Sequence, residues 1–354
     1  MRKDITVFIS VLFIAAGCST SNWQKPSATA PGFALAAAQQ VVETPPPAEE
    51  EPQPETAPVV EQNQQQPTAP KKQETPPPTA VAPAAPTQAA PTPEKPLEPV
   101  IGSDGRLLHP WYTLPAITPV PEGPHPKWFN ESLKFKIGWS FVTAGEADLI
   151  TGKMVDIGHT KAYVVEAYAQ SFSVIDKLFK VRDINVSWIA ADLTRSLGFW
   201  QSVREGGYMR DEVITFDFKN NTYTLHKQDN KKRLSTKVIP FKGETIWDML
   251  SSMYFVRTKP LPVKGEVFFD IVNAQEQYPL KVIVHGKETV KVKAGKFNCI
   301  LVEPVISGEG IFVSKGKSLK VWLTDDEYRM PVKMSVEVMI GSVYAELVSY
   351  TRGK

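Results

Sequence analysis

The chain predicts a mainly β protein, a large antiparallel meander curled into a half-barrel or open barrel around one main helix. Three observations predict it. From residue 131 onward apolar side chains recur at every second position. Gly and Asn punctuate the alternating runs where turns or bulges are needed. The regularly spaced helices that parallel crossovers require are missing.

Met1 to Cys18 reads Arg2-Lys3, a mostly apolar run from Ile5 to Ala16, then Gly17-Cys18. An apolar stretch of about 12 residues suits a secretory signal and falls short of the ~20 that a membrane-spanning helix needs. Ala15-Ala16-Gly17-Cys18 resembles the lipobox of bacterial lipoproteins, with Ala15 where Leu is usual. The resemblance implies removal of residues 1–17, a diacylglycerol on the Cys18 thiol and a third chain on its amine. Two or more acyl chains hold a protein stably at a membrane. Ser19, by the same analogy, implies the outer membrane, with the rest of the chain facing the periplasm. The competing reading is an ordinary cleaved signal peptide with an incidental cysteine.

Residues 18–109 form the lipidated start and a tether rich in Pro, Ala, Gln and Glu, as in Glu43-Thr44-Pro45-Pro46-Pro47. Such a composition buries too little apolar surface to offset the entropy of ordering it, so disorder is expected. Its prolines favour polyproline II, at about 3.1 Å per residue, so the tether could reach on the order of 200 Å. A Pro-rich docking motif is the alternative. Residues 110–130 set Trp111, Tyr112, Trp128 and Phe129 among prolines, as an aromatic arm packing along the edge of the domain or as an exposed contact. Residues 131–354 then form a single β domain.

Leu133, Phe135, Ile137 and Trp139 alternate with Ser132, Lys134, Lys136 and Gly138, one strand with one buried face. The same logic places strands at 147–155, 162–170, 186–190, 197–203, 212–218 and 222–227. Later strands are expected at 266–272, 277–285, 287–292, 296–305, 318–323, 332–339 and 343–350. Lys219-Asn220-Asn221 reads as a hairpin turn, since asparagine tolerates positive φ. Gly286, Gly295 and Gly341 are turn or bulge positions.

Two helices interrupt the meander. One or two turns are expected at 174–179. A stronger helix is expected at 245–256, where Ile246, Met249, Leu250 and Met253 share a face, Thr245 can cap, and Pro260 and Pro262 follow. It most simply fills the curl of the sheet. Met249 and Met253 are also candidates to line a hydrophobic ligand cavity, because methionine adapts to irregular shapes.

Phe135-Lys136-Ile137-Gly138-Trp139 and Ala144-Gly145-Glu146-Ala147 resemble the opening strands of the bacterial domain-of-unknown-function 3108 family. The succession continues through Arg182-Asp183, Glu205-Gly206-Gly207-Tyr208, Phe216-Asp217, the segment Asp248 to Arg257, Ala294 to Asn298, Trp322 to Asp326, Arg329 to Val332 and Ile340-Gly341-Ser342. It covers essentially everything after Asn130. The resemblance implies an envelope protein and no particular activity. A long antiparallel sheet around helices also looks like the half-barrels of lipoprotein carriers; only architecture transfers, since fold does not imply function.

Catalytic equipment is hard to find. His159, His226 and His285 lack the spacing of zinc ligands. Cys299 sits in a mostly apolar run and reads as a small buried hydrophobe. Asp325-Asp326-Glu327 is the best acid-base or calcium candidate, yet it falls where a hairpin turn wants Asp and where Arg329 can neutralise it. Arg182-Asp183, and Asp248 with Arg257, read as ion pairs or caps. No phosphate-binding loop, dinucleotide fingerprint or nucleophile elbow occurs. No cofactor and no metal are expected.

A net charge of +2 argues against nucleic-acid binding and against strong membrane adhesion. The basic stretch Lys227 to Lys237, with Lys231-Lys232-Arg233, reads as a solvated hairpin loop or a contact for anionic lipid or glycan. The functional expectation is a non-enzymatic outer-membrane lipoprotein, held to the membrane through Cys18 and binding a hydrophobic or polymeric envelope ligand or a protein partner. A structural or assembly accessory without ligand is the alternative, and an enzyme acting on cell-wall glycan a distant third.

Overall fold

The computed structural model describes residues 97–158, 160–306, 318–337 and 341–353. Cys18, residues 1–96 and His159 lie outside the described residues.

Two short strands, β1 (Val100–Ile101) and β2 (Leu107–Leu108), pair with each other ahead of a 3-10 turn at Pro110–Thr113. One fifteen-stranded sheet follows. Its first half is β3 (Glu131–Trp139), β4 (Val142–Ile157), β5 (Thr160–Ser171), β6 (Arg182–Ala190), β7 (Ser196–Glu205), β8 (Tyr208–Asp217), β9 (Thr222–Gln228) and β10 (Leu234–Pro240), each antiparallel to the next. The chain then leaves that edge through β11 (Trp247–Asp248) and helix α2 (Met249–Arg257), the short helix α1 (Ser173–Asp176) having joined β5 to β6. It re-enters at the far edge and returns as β12 (Glu266–Asn273), β13 (Glu276–Val292), β14 (Gly295–Ile306), β15 (Leu319–Thr324), β16 (Pro331–Glu337) and β17 (Ser342–Thr351). The last strand, β17, pairs with the first, β3, in the middle of the sheet. The sheet is therefore open, and every pairing is antiparallel except β11 with β12.

The sheet buries both faces over β5 to β8. On the inner face the core runs from Leu133, Phe135 and Leu149 through Val165 and Phe199 to Val284 and Leu347, with Leu250 and Tyr254 of α2 packed into it. Each large apolar side chain so buried contributes roughly 1.5–3 kcal/mol. On the outer face Leu107, Val164, Val186, Trp188 and Trp200 form a second cluster, covered by Trp111, Tyr112 and Leu114. The aromatic arm divides between the two clusters: Trp111 and Tyr112 cover the outer one, while Trp128 and Phe129 are buried in the inner core. Residues 97–109, expected as tether, take part: Leu107 and His109 are fully buried. The strap rests on Gly198, where any Cβ would lie 2.8 Å from the Trp111 ring.

Several local expectations change. Helix α2 starts at Met249, not Thr245, because the Asp248 side chain accepts the Leu250 and Ser251 N–H groups in a capping box. Its buried face is Leu250, Ser251, Tyr254 and Arg257, which leaves Met249 and Met253 half-buried on the flank. The predicted strands at 277–285 and 287–292 are one strand, β13, with a register shift at Gly286 serving as a bulge. Residues 234–240, read partly as basic loop, form edge strand β10, so the turn is confined to 229–233. Trp139 leaves the buried face because the register shifts between Ile137 and Gly138, and Gly138 lies under the Tyr344 ring.

Candidate functional site

Antiparallel order puts the connections at 191–195, 258–265 and 325–330 at one end of the sheet, here the lower end. There α2, the arm before β3, and the β6–β7 and β15–β16 connections enclose an open cleft of about 540 Å³. Its floor is an ion pair. Arg257 donates through both terminal nitrogens to the Glu131 carboxylate, at 2.8 and 2.6 Å, and neither side chain is more than 1% exposed. Arg257 also donates to the Tyr328 carbonyl at 3.0 Å, which ties the β15–β16 turn to the helix end.

The arm supplies His125, Lys127 and Trp128. His125 hydrogen-bonds the Tyr163 hydroxyl at 2.7 Å and the Pro121 carbonyl at 3.1 Å. Trp128 packs edge-on against Tyr254 and Tyr163. Burial pushes the Tyr254 hydroxyl well above its ordinary range, helped by the Glu131 charge. Lys127 pairs with Glu327 at 3.0 Å, which raises its ammonium pKa.

The wall is strongly one-signed. Lys127, Arg257, Lys259 and Arg329 face a single carboxylate, Glu327. Lys127 and Arg257 are each matched by a glutamate, whereas Lys259 and Arg329 have no acidic partner among the described residues. Lys259 lies over the Phe255 ring at 4.3 Å. Arg329 takes φ 45°, an uncommon conformation for a bulky residue, and its buried Nη1 meets no acceptor. The buried Trp128 Nε1 behind the wall likewise meets none. Uncompensated donors and cations give the cleft a positive potential that a low-dielectric surround strengthens.

The residues singled out from sequence lie elsewhere or serve the fold. Met249 and Met253 pack against the core and do not line the cleft. His226 bonds Thr236 Oγ1 at 2.9 Å and the Leu97 carbonyl at 3.0 Å, and His285 meets Glu303 at 2.6 Å. Cys299 is fully buried, and burial pushes its thiol up to about 12.

The acidic triplet is neutralised, though not by Arg329. Asp325 pairs with Lys287, Asp326 with Arg352 and Glu327 with Lys127. Asp326 also accepts the Tyr328 and Arg329 N–H groups, so it builds the turn. Asp248 is a cap, as expected, but its carboxylate binds Ser187 and Ser196, each at 2.6 Å, and not Arg257. Arg182 pairs with Asp176, while Asp183 accepts the Arg204 N–H.

Among the described residues no three His, Cys, Asp or Glu side chains converge as a metal requires, and no helix is long and apolar enough to cross a membrane. Sequence reasoning missed the cleft, because its cations come from three segments far apart in the chain.

No curated protein matches the chain. A β-barrel-like protein of the domain-of-unknown-function 1849 family from Brucella abortus is similar in structure at a TM-score of 0.46 and 8% identity, over 65% of this chain and all of that one. A Bacteroides fragilis protein with a YmcC-like fold reaches 0.28 at 11% identity, over 64% of this chain and 98% of its own. A lipoprotein candidate from Parabacteroides distasonis reaches 0.27 at 8%, over 64% and 97%. Likenesses this distant carry nothing about activity. The profile of the family described as protein of unknown function (DUF3108) matches residues 134–348, which is more than half of the chain and nearly all of the sheet, and the protein belongs to that family.

Proposed function

We propose that the protein is a non-enzymatic, outer-membrane lipoprotein of the periplasm, held by acyl chains at Cys18, whose cleft binds an anionic group of an envelope ligand. The carrying observation is the cleft wall, in which Lys259 and Arg329 have no acidic partner. Glu327, the one carboxylate on the cleft wall among the described residues, is already engaged by Lys127. A ligand carrying phosphate or carboxylate would meet cations already held in place by the Arg257–Glu131 floor.

Native mass spectrometry of the protein purified from the envelope, with isothermal titration of inorganic pyrophosphate and citrate, tests the cleft. Retention or binding of an anion that weakens at least about tenfold in Lys259→Ala with Arg329→Ala supports it. No co-purifying anion and no heat of binding with either probe would count against it. The anchor is tested separately: the mass of the N-terminal peptide should carry the acyl groups, and Cys18→Ser should release the protein from the membrane fraction.

A further inference from the structure

The opposite end of the sheet carries a different surface. Strand direction places the connections at 140–141, 172–181, 206–207 and 229–233 together at this upper rim. They are joined laterally. Phe172 donates its N–H to the Ala144 carbonyl at 3.0 Å, Gly206 donates to the Lys180 carbonyl at 2.7 Å, and the Asn230 side chain donates to the Gly207 carbonyl at 3.1 Å.

This continuous rim displays apolar side chains with no core to enter. Phe141 is 97% exposed, Leu178 86% and Val174 73%, with Val142, Phe172 and Met209 also exposed around them. Isolated exposed apolar residues are ordinary, but a group on adjoining connections marks a contact surface. The charge around it is equally one-sided. Both acids on these connections are matched by arginine, Asp176 by Arg182 and Asp229 by Arg233. Lys177, Lys231 and Lys232 are exposed and form no ion pair among the described residues, and exposed Lys180 lies in the field of Asp176, whose carboxylate Arg182 already engages. Apolar tips bracketed by unmatched lysines fit an interface whose depth is hydrocarbon and whose surface is negative.

We infer that the upper rim is a membrane-docking surface that inserts Phe141, Val174 and Leu178 into a bilayer while Lys177, Lys180, Lys231 and Lys232 contact anionic headgroups. The inference is independent of the lower cleft. It gives the basic loop a partner and the exposed aromatic and aliphatic tips an apolar environment.

Vesicle flotation tests it with the mature chain from residue 18 carrying Cys18→Ser, so that no acyl anchor contributes. Equimolar phosphatidylcholine and phosphatidylglycerol vesicles should bind at least about tenfold more protein than phosphatidylcholine alone, and salt should weaken binding. Phe141→Ser with Leu178→Ser should reduce binding at least about tenfold. Lys231→Glu with Lys232→Glu should do the same and flatten the salt dependence, an independent check if the first variant folds poorly. Lys259→Ala with Arg329→Ala should bind as the unmodified chain does. The inference is overturned if the mixed vesicles do not bind, if both rim variants bind normally, if the cleft variant alone abolishes binding, or if the rim substitutions break up a dimer and leave vesicle binding unchanged.

Discussion

Arg257, the last residue of α2, and Glu131, the first residue of β3, form a two-bonded ion pair from which water is excluded. It fixes the helix end to the central strand and holds the cleft floor. Removing one partner of such a pair leaves a buried charge, so Arg257→Ala or Glu131→Ala should cost about 3–5 kcal/mol in urea melts. Replacing both by Met should recover much of that loss. Arg257→Lys should not, because an ammonium cannot reproduce the two parallel bonds.

Asp248 gathers five side-chain and backbone donors at the start of α2: the Ser187, Ser196 and Ser251 hydroxyls and the Leu250 and Ser251 amides. Asp248→Ala should therefore destabilise by about 2–4 kcal/mol, more than an exposed cap, since the serine hydroxyls lose their buried acceptor. Chemical denaturation checks this, and amide exchange should be fastest in residues 249–257.

His109 predicts the acid limb of stability. It is fully buried, stacked on Trp188 at 4.3 Å and Trp111 at 4.6 Å, and burial lowers its pKa to about 3. The native state thus refuses a proton that the unfolded chain takes up near pH 6.5. Stability present above that pH is lost progressively between about 6.5 and 3, on the order of 2–4 kcal/mol. In His109→Gln that slope should flatten in melts taken across the window.

Asp183 should act in the opposite sense. Burial raises its carboxyl to about 6, against the Arg204 amide and the Glu205 hydrogen bond that favour ionisation. The native state holds a proton that the unfolded chain has released above about pH 4. Its contribution therefore strengthens as pH falls from about 6 to 4 and is lost as pH rises through 6. Asp183→Asn should stabilise the protein at pH 7 by about 1–2 kcal/mol and remove the pH dependence in that window. An unchanged slope would show that the proton sits elsewhere.

Cys299 should resist thiol reagents in the native state, being buried with a pKa of about 12. Labelling should proceed only through opening, at a rate that rises with urea. Prompt labelling in buffer would contradict the packing described.

Period-two alternation revealed most strands because one buried face imposes it: Leu133, Phe135 and Ile137 turn inward while Lys134 and Lys136 stay in solvent. The Asn220-Asn221 turn was equally legible, with Asn221 at φ 51°. Thr245 and Asp248 both fit the cap pattern, and only the tertiary donors that converge on Asp248 decide between them. His109 carries no such signal, because its prolines and neighbours look like tether. The outer cluster that buries it is supplied mostly by β4 to β8, from Val155 to Val213. The cleft and the upper rim share one cause of illegibility. Both are assembled from connections, whose proximity follows from strand order and leaves no periodic trace.

The joining of β17 to β3 has a consequence for how the protein comes into being. A chain made from its N-terminus can zip β3 to β10 early, as neighbouring hairpins with little loop to close. Throughout that time β3 keeps an unpaired edge, flanked by Leu133, Phe135 and Ile137, until β17 arrives after the whole second half of the sheet. Such an edge is a template for wrong partners. Loss of β17 would thus open the centre of the sheet, not trim its border.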